Sequence, residues 1–242
     1  MTKSPSFMTY FYLVPTEFLE FSIAMEILFA IITMSVAFFS FRIYRISRQR
    51  ETKLFGISFA LISISYVVWA IVHSAIVFPS IVRIAQLFTQ NISRLGGIGL
   101  LMQVMLFISG LGTLSYTNLK IKSGKAYYLI VGLAIIAIIA PLVVTLMIFE
   151  PVESSALYGL LITSRILSVF FLTFLIYSYF KEYSRNGNGK TLLIGLAFSL
   201  LLISSVNFIF SLTYYEAYII GHILELIAYL FILISLILSI RK

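Results

Sequence analysis

The sequence predicts an all-α, polytopic integral membrane protein with seven transmembrane helices, its N-terminus outside and its C-terminus in the cytoplasm. Three observations predict it. First, 61% of the 242 residues are hydrophobic, only 11% are charged, and the mean hydropathy is +1.07; a soluble domain carries about 25% charged residues. Second, seven apolar runs each approach the ~20 residues that cross a bilayer. Third, the basic residues collect in alternate connections. A water-soluble globule, a disordered tail and a nucleic-acid binder are thereby excluded. Cysteine is absent, which removes disulfides, cysteine zinc sites and thiol chemistry. No stretch is long enough for a soluble domain, so residues 1–242 read as one transmembrane unit in the plasma membrane.

The runs fall at about 17–41, 54–78, 96–117, 126–149, 156–180, 190–213 and 216–240. The segment before the first lacks the basic start and small-residue cleavage site of a secretory signal, and is expected to be retained. Most connections are short, which sets consecutive spans side by side and antiparallel. The exception is 79–95. Pro79 ends the second span, and Ile81, Ile84, Leu87, Phe88, Ile92 and Leu95 then recur at helical spacing between Arg83, Gln86, Gln90 and Arg94. That pattern predicts a short amphipathic helix in the outer interface; the alternative is a longer third span. Asn91-Ile92-Ser93 is a glycosylation acceptor triplet.

Orientation follows from charge. Thirteen of the seventeen Lys and Arg residues follow spans one, three, five and seven, among them Arg42, Arg45, Lys120, Lys181 and Lys242. The other connections hold Lys3, Arg83 and Arg94, and Arg165 lies inside the fifth span. The positive-inside rule places the thirteen in the cytoplasm.

The strongly polar residues within the spans share one depth. Measured from the cytoplasmic helix ends at ~1.5 Å per residue, Glu26, His73, Gln103, Arg165, Asn207, His222 and Glu225 all stand ~21–28 Å up, in the outer half of a ~30 Å hydrocarbon layer. Charges there belong on the bundle interior or a wet cavity. Helical spacing agrees: Ser22, Glu26, Thr33 and Ser40 share a face, as do Ser58, Ile62, Ser65, Trp69 and His73, and His222, Glu225 and Tyr229. Gly96, Gly99, Gln103 and Gly110 form a smooth stripe. Two readings stay open. The groups pair as polar glue between close-packed helices, with Arg165 against Glu26 or Glu225, or they line an outward-facing ligand pocket.

His73 and His222 are the only histidines. Two imidazoles at one depth, on spans that flank the first if the helices pack in order round a ring, would suit the axial ligation of a haem b. Ala70, Ser74, Gly221 and the glycine stripe would make room, and Arg165, Arg83 or Arg94 would meet the propionates. Interhelical hydrogen bonds are the alternative, and a zinc ion held by His73, His222, Glu26 and Glu225 a further one. Retinal is excluded, since the last span reaches no Lys before Lys242, and no hydrolase, zincin or phosphate-loop motif is present. Pro141 is the single proline deep in a span, and no internal repeat of the transporter kind is visible. The lack of Cys and Asp, with many Ile and Tyr, is a thermophile-like or archaeal composition.

Four stretches carry a family resemblance: Glu17–Ile23, Tyr66–His73, Ser204–Phe208 and Gly221–Tyr229. Together they resemble the third class of membrane-associated seven-helix sensory domains, found N-terminal in microbial histidine kinases and diguanylate cyclases. The resemblance implies a sensory or accessory role and a ligand site including His73 and His222. The chain departs from the pattern where Ala70 stands near a usual acid and Glu225 replaces a usual base. With two residues after the last span, no output domain is expected, so any signal would pass to a membrane-protein partner. The expected function is therefore a non-enzymatic sensor-like or accessory module with a polar ligand site, with or without haem b. The alternatives are a bis-His b-type cytochrome subunit of a respiratory complex and a proton-coupled transporter using Glu26, Glu225 and Arg165.

Overall fold

A computed structural model describes residues 18–77, 92–118, 154–211 and 215–240. Among these, the regular structure is six helices and no strand: α1 (Leu19–Ser47), α2 (Arg50–Val77), α3 (Ile92–Asn118), α4 (Ser154–Asn186), α5 (Gly189–Phe210) and α6 (Tyr215–Ile240). All six are long and apolar enough to cross a membrane. The run at 126–149, residues 78–91 of the interfacial segment with Asn91, and the first seventeen residues lie outside the described residues. Residues 92–95 belong to the first turn of α3.

The helices outrun the apolar spans at their basic ends. α1 continues through Arg42 and Arg45 to Ser47, and α4 runs to Asn186 through Lys181 and Arg185. Cations at a helix C-terminus complement the partial negative charge of its free carbonyls, so basic residues extend these helices beyond the apolar stretch. α1 stops where Arg48 turns left-handed (φ 56°), its N–H closing on Tyr44 O at 2.8 Å. Asn188 then caps α5, its side chain accepting from Lys190 N at 3.1 Å.

The six helices close a ring: each packs on its neighbours in sequence, α3 meets α4, and α6 returns to α1. α1 thus lies between α2 and α6, the order expected for a sequential ring. Gly110 sets the α2–α3 distance. A Cβ there would lie 2.7 Å from Ile62 and 2.9 Å from the Ser58 carbonyl, so only glycine allows this approach. Gly99 does the same against Val72.

Polarity is distributed inside out. Ser22, Thr33, Ser40, Ser58 and Ser65 are fully buried, while Ile31, Phe38, Ile71 and Phe170 are each about 60% exposed or more. A water-exposed monomer rarely carries so continuous an apolar surface; a bilayer accepts it. The buried hydroxyls answer to backbone carbonyls, within a helix (Thr33 to Phe29 O, 2.6 Å) or between helices (Ser63 to Ala30 O, 2.8 Å; Ser204 to Gly221 O, 2.9 Å). The interior between the two ends is packed by Phe29, Phe59, Ile108, Leu172, Phe198 and Ile232.

A candidate ligand site at the end away from the basic connections

Toward the non-basic end, the ring encloses a cavity of about 90 Å³. All six helices line it: Glu26 from α1, Tyr66, Trp69 and His73 from α2, Gln103 from α3, Arg165 from α4, Phe208 from α5, and Tyr218, His222 and Glu225 from α6. Six of the seven polar residues singled out in the sequence thus meet at one place. Asn207 is half-buried and is absent from the lining, which its neighbours Phe208 and Ile209 provide instead.

Two chains of polar contacts tie α1, α2 and α6 around the cavity. In the first, Ser22 Oγ donates to Glu26 Oε1 at 2.8 Å and lies 2.6 Å from the Tyr218 hydroxyl, which donates to it. The same Glu26 oxygen is 2.8 Å from His73 Nδ1, off the line of a hydrogen bond. In the second, Tyr66 OH donates to Glu225 Oε1 in a short contact. Tyr229 OH lies 2.8 Å from Tyr66 OH and 3.4 Å from the same carboxylate oxygen. Glu225 Oε2 is 3.9 Å from His222 Nδ1. Each acid is therefore steadied by hydroxyls on one oxygen and faces a histidine.

These groups are deeply buried: Glu26 is 2% exposed, His73 and Glu225 4%, and His222 6%. Their hydrogen bonding is nevertheless incomplete. Glu26 Oε2, His73 Nδ1 and both ring nitrogens of His222 have no hydrogen-bond partner among the described residues. A buried polar atom left unsatisfied costs about 1–3 kcal/mol, so four in one place mark a region built for something besides packing.

Arg165 differs from the expectation. It carries no ion pair to a carboxylate among the described residues; its guanidinium lies over the Phe208 ring, 4.4 Å from the centroid. Aromatic rings complete the walls. Trp69 lies tilted against His73 with ring centroids 4.4 Å apart, and His222 is enclosed by Tyr218, Phe208, Phe29 and Phe21 at 4.5 to 6.1 Å.

A porphyrin has no room as the helices stand. Pockets for drug-sized molecules run to roughly 300–1,000 Å³, well above the volume present. The space beside Gly221, expected to admit the macrocycle, is filled by the Phe208 ring, 3.1 Å from where a Cβ would sit. Among the described residues no group of three or more His and acidic side chains is placed to hold a metal ion. What the cavity offers is a guanidinium, an amide, two carboxylates and two imidazoles in aromatic walls.

Tyr66 and Tyr218 carry much of this geometry without having been singled out as site residues. Their signal is spacing: Tyr218, His222, Glu225 and Tyr229 recur at four, three and four residues, and Tyr66 lies seven before His73. No protein family, curated protein or solved structure matches the chain.

Proposed function

We propose that the chain is a non-enzymatic, seven-span module of the plasma membrane, N-terminus out and C-terminus in. It binds a small polar ligand in the cavity around Arg165 and His222 and passes occupancy to a membrane-protein partner, as a sensor-like or accessory subunit. One observation carries this reading: the buried Glu26, His73 and His222 that line this cavity hold unsatisfied polar atoms. A ligand that satisfied them would alter the α1–α2–α6 contacts they terminate, which supplies a route from site to packing.

The experiment uses the only tryptophan of the chain, Trp69, which lines the cavity. Purified protein in nanodiscs is titrated with amino acids, small carboxylates, amines and sugars, while Trp69 fluorescence and melting temperature are followed. At least one class should shift both in wild type, with the shift lost in Arg165→Gln or Glu26→Gln. No response from any class, or a response indifferent to both substitutions, overturns the proposal. So does a haem Soret band in the purified protein.

A second reading, a transporter, is favoured by another cavity of about 400 Å³ at the basic end, also lined from all six helices. Phe59, Ile108, Leu172 and Phe198 fill the interior between the two. Saturable uptake into proteoliposomes of the solute that shifts Trp69 would decide for it.

A further inference from the structure

We infer that the ligand of the Arg165 cavity is a small zwitterion bearing a carboxylate and an ammonium group, of glycine or alanine size; this rests on the ligand-site reading and narrows it. Three observations combine. The first is the arrangement of charge. Arg165, free of any ion pair among the described residues and laid on Phe208, faces the cavity from α4 with Gln103 beside it on α3. Glu26 and Glu225 face it from α1 and α6, and Glu26 Oε2 has no hydrogen-bond partner. The guanidinium and amide are donors suited to a carboxylate. The bare Glu26 oxygen is an acceptor suited to an ammonium.

The second is charge balance. The lining holds both signs, a guanidinium on one side and two carboxyl groups on the other. Net charge in a site surrounded by apolar helices is costly, so a ligand of zero net charge enters without unbalancing it. A plain anion or plain cation does unbalance it. The zwitterion alone meets both poles at once.

The third is size. A cavity needs roughly 10–15 Å³ to hold one water, so about 90 Å³ has room for several water-sized groups, which suits glycine or alanine better than an aromatic amino acid. Trp69, Phe208 and Tyr218 form the walls, which suit a short aliphatic stub and offer no further charged partner.

The test compares glycine with its two halves. Wild-type protein in nanodiscs is titrated with glycine, alanine, acetate, methylamine, an equimolar acetate–methylamine mixture, and tryptophan as the oversized zwitterion, reading melting temperature throughout and Trp69 fluorescence for all but the last. Glycine or alanine should bind at least about tenfold more tightly than either half or the mixture, because joining two groups makes the second contact intramolecular. Arg165→Gln should weaken glycine and acetate but leave methylamine unchanged. Glu26→Gln should weaken glycine and methylamine but leave acetate unchanged. If acetate or methylamine alone binds as tightly as glycine, the zwitterion inference falls while the ligand site stands. If no small polar solute binds, both fall. The wild-type comparison decides the matter even where a variant fails to fold.

Discussion

At the basic end of the bundle, Ile43, Glu51, Phe55, Asn118, Tyr179 and Glu182 surround a cavity several times larger than the one around Arg165. Both hold two glutamates. Their polar groups are satisfied differently. Glu51 is exposed and Glu182 half-exposed, Asn186 Nδ2 donates to Glu182 Oε1, and Thr117 and Asn118 bond to carbonyls one turn back on their own helix. At the other end Glu26 and Glu225 are deeply buried, Glu26 held by Ser22 of its own helix and Glu225 by tyrosines of α2 and α6, and both face unsatisfied imidazoles. Volume alone would rank the basic-end cavity first as a ligand site. Desolvation points to the smaller one, because there four buried polar atoms of Glu26, His73 and His222 lack a partner that a ligand would supply.

The sharpest way to break this comparison is to remove one acid from each end. Glu225→Ala takes the acceptor from Tyr66 and Tyr229 together and leaves two buried hydroxyls facing a void. It should lower unfolding stability by about 3 kcal/mol, measured by denaturation in mixed micelles. A loss below about 0.5 kcal/mol, the usual range for a surface position, would mean that water already reaches Glu225 and that the two ends do not differ in kind.

Next in size come changes that test the packing beneath the site. Gly110→Ala drives a methyl into Ile62 and the Ser58 carbonyl and should cost about 1–3 kcal/mol by overpacking. Gly159→Ala, which meets nothing within contact distance, should be neutral or stabilise α4 by up to about 1 kcal/mol through helix propensity. Equal melting shifts for the two would contradict the close α2–α3 approach. Tyr218→Phe removes only the hydroxyl that donates to Ser22 and should cost about 1 kcal/mol. It should also change the Trp69 response to ligand, whereas Tyr179→Phe at the basic end should not.

How far these features could be read from the sequence depends on which coordinate is asked for. Depth was legible: a charge in a long apolar run must stand at a height fixed by 1.5 Å per residue, and Glu26, His73, Gln103, Arg165, His222 and Glu225 do meet. Direction round each helix was legible where a periodic stripe supplied it, as for Ser22 and Glu26 or His222 and Glu225. It failed for Asn207, which has no such stripe and stands one residue, about 100°, from the Phe208 that faces the cavity. Partners were less legible still. Arg165 was expected against a carboxylate and instead lies on an aromatic ring, because spacing along a chain does not give the distance between two helices. Helix ends were missed at Ser47 and Asn186, since hydropathy reports where lipid lies and not where the helix stops.

The smallest effects belong to the basic-end glutamates, and their signs should differ. Glu51 lies in the first turn of α2, where a negative charge complements the free N–H groups and is worth roughly 0.3–1 kcal/mol. Glu51→Gln should therefore destabilise slightly, and less so as salt is raised, because an exposed charge is screened. Glu182 lies four residues before the C-terminus of α4, where the same dipole opposes it. Its contact with Asn186 is a one-turn pair worth about 0.2–0.5 kcal/mol. These terms nearly cancel, so Glu182→Gln should change stability by less than about 0.5 kcal/mol and leave the Trp69 titration untouched. A Glu182→Gln loss of the size expected for Glu225→Ala would show that Glu182 is as desolvated as Glu225. Both ends would then have to be treated as candidate sites, and the transport reading would gain over the sensor-like one.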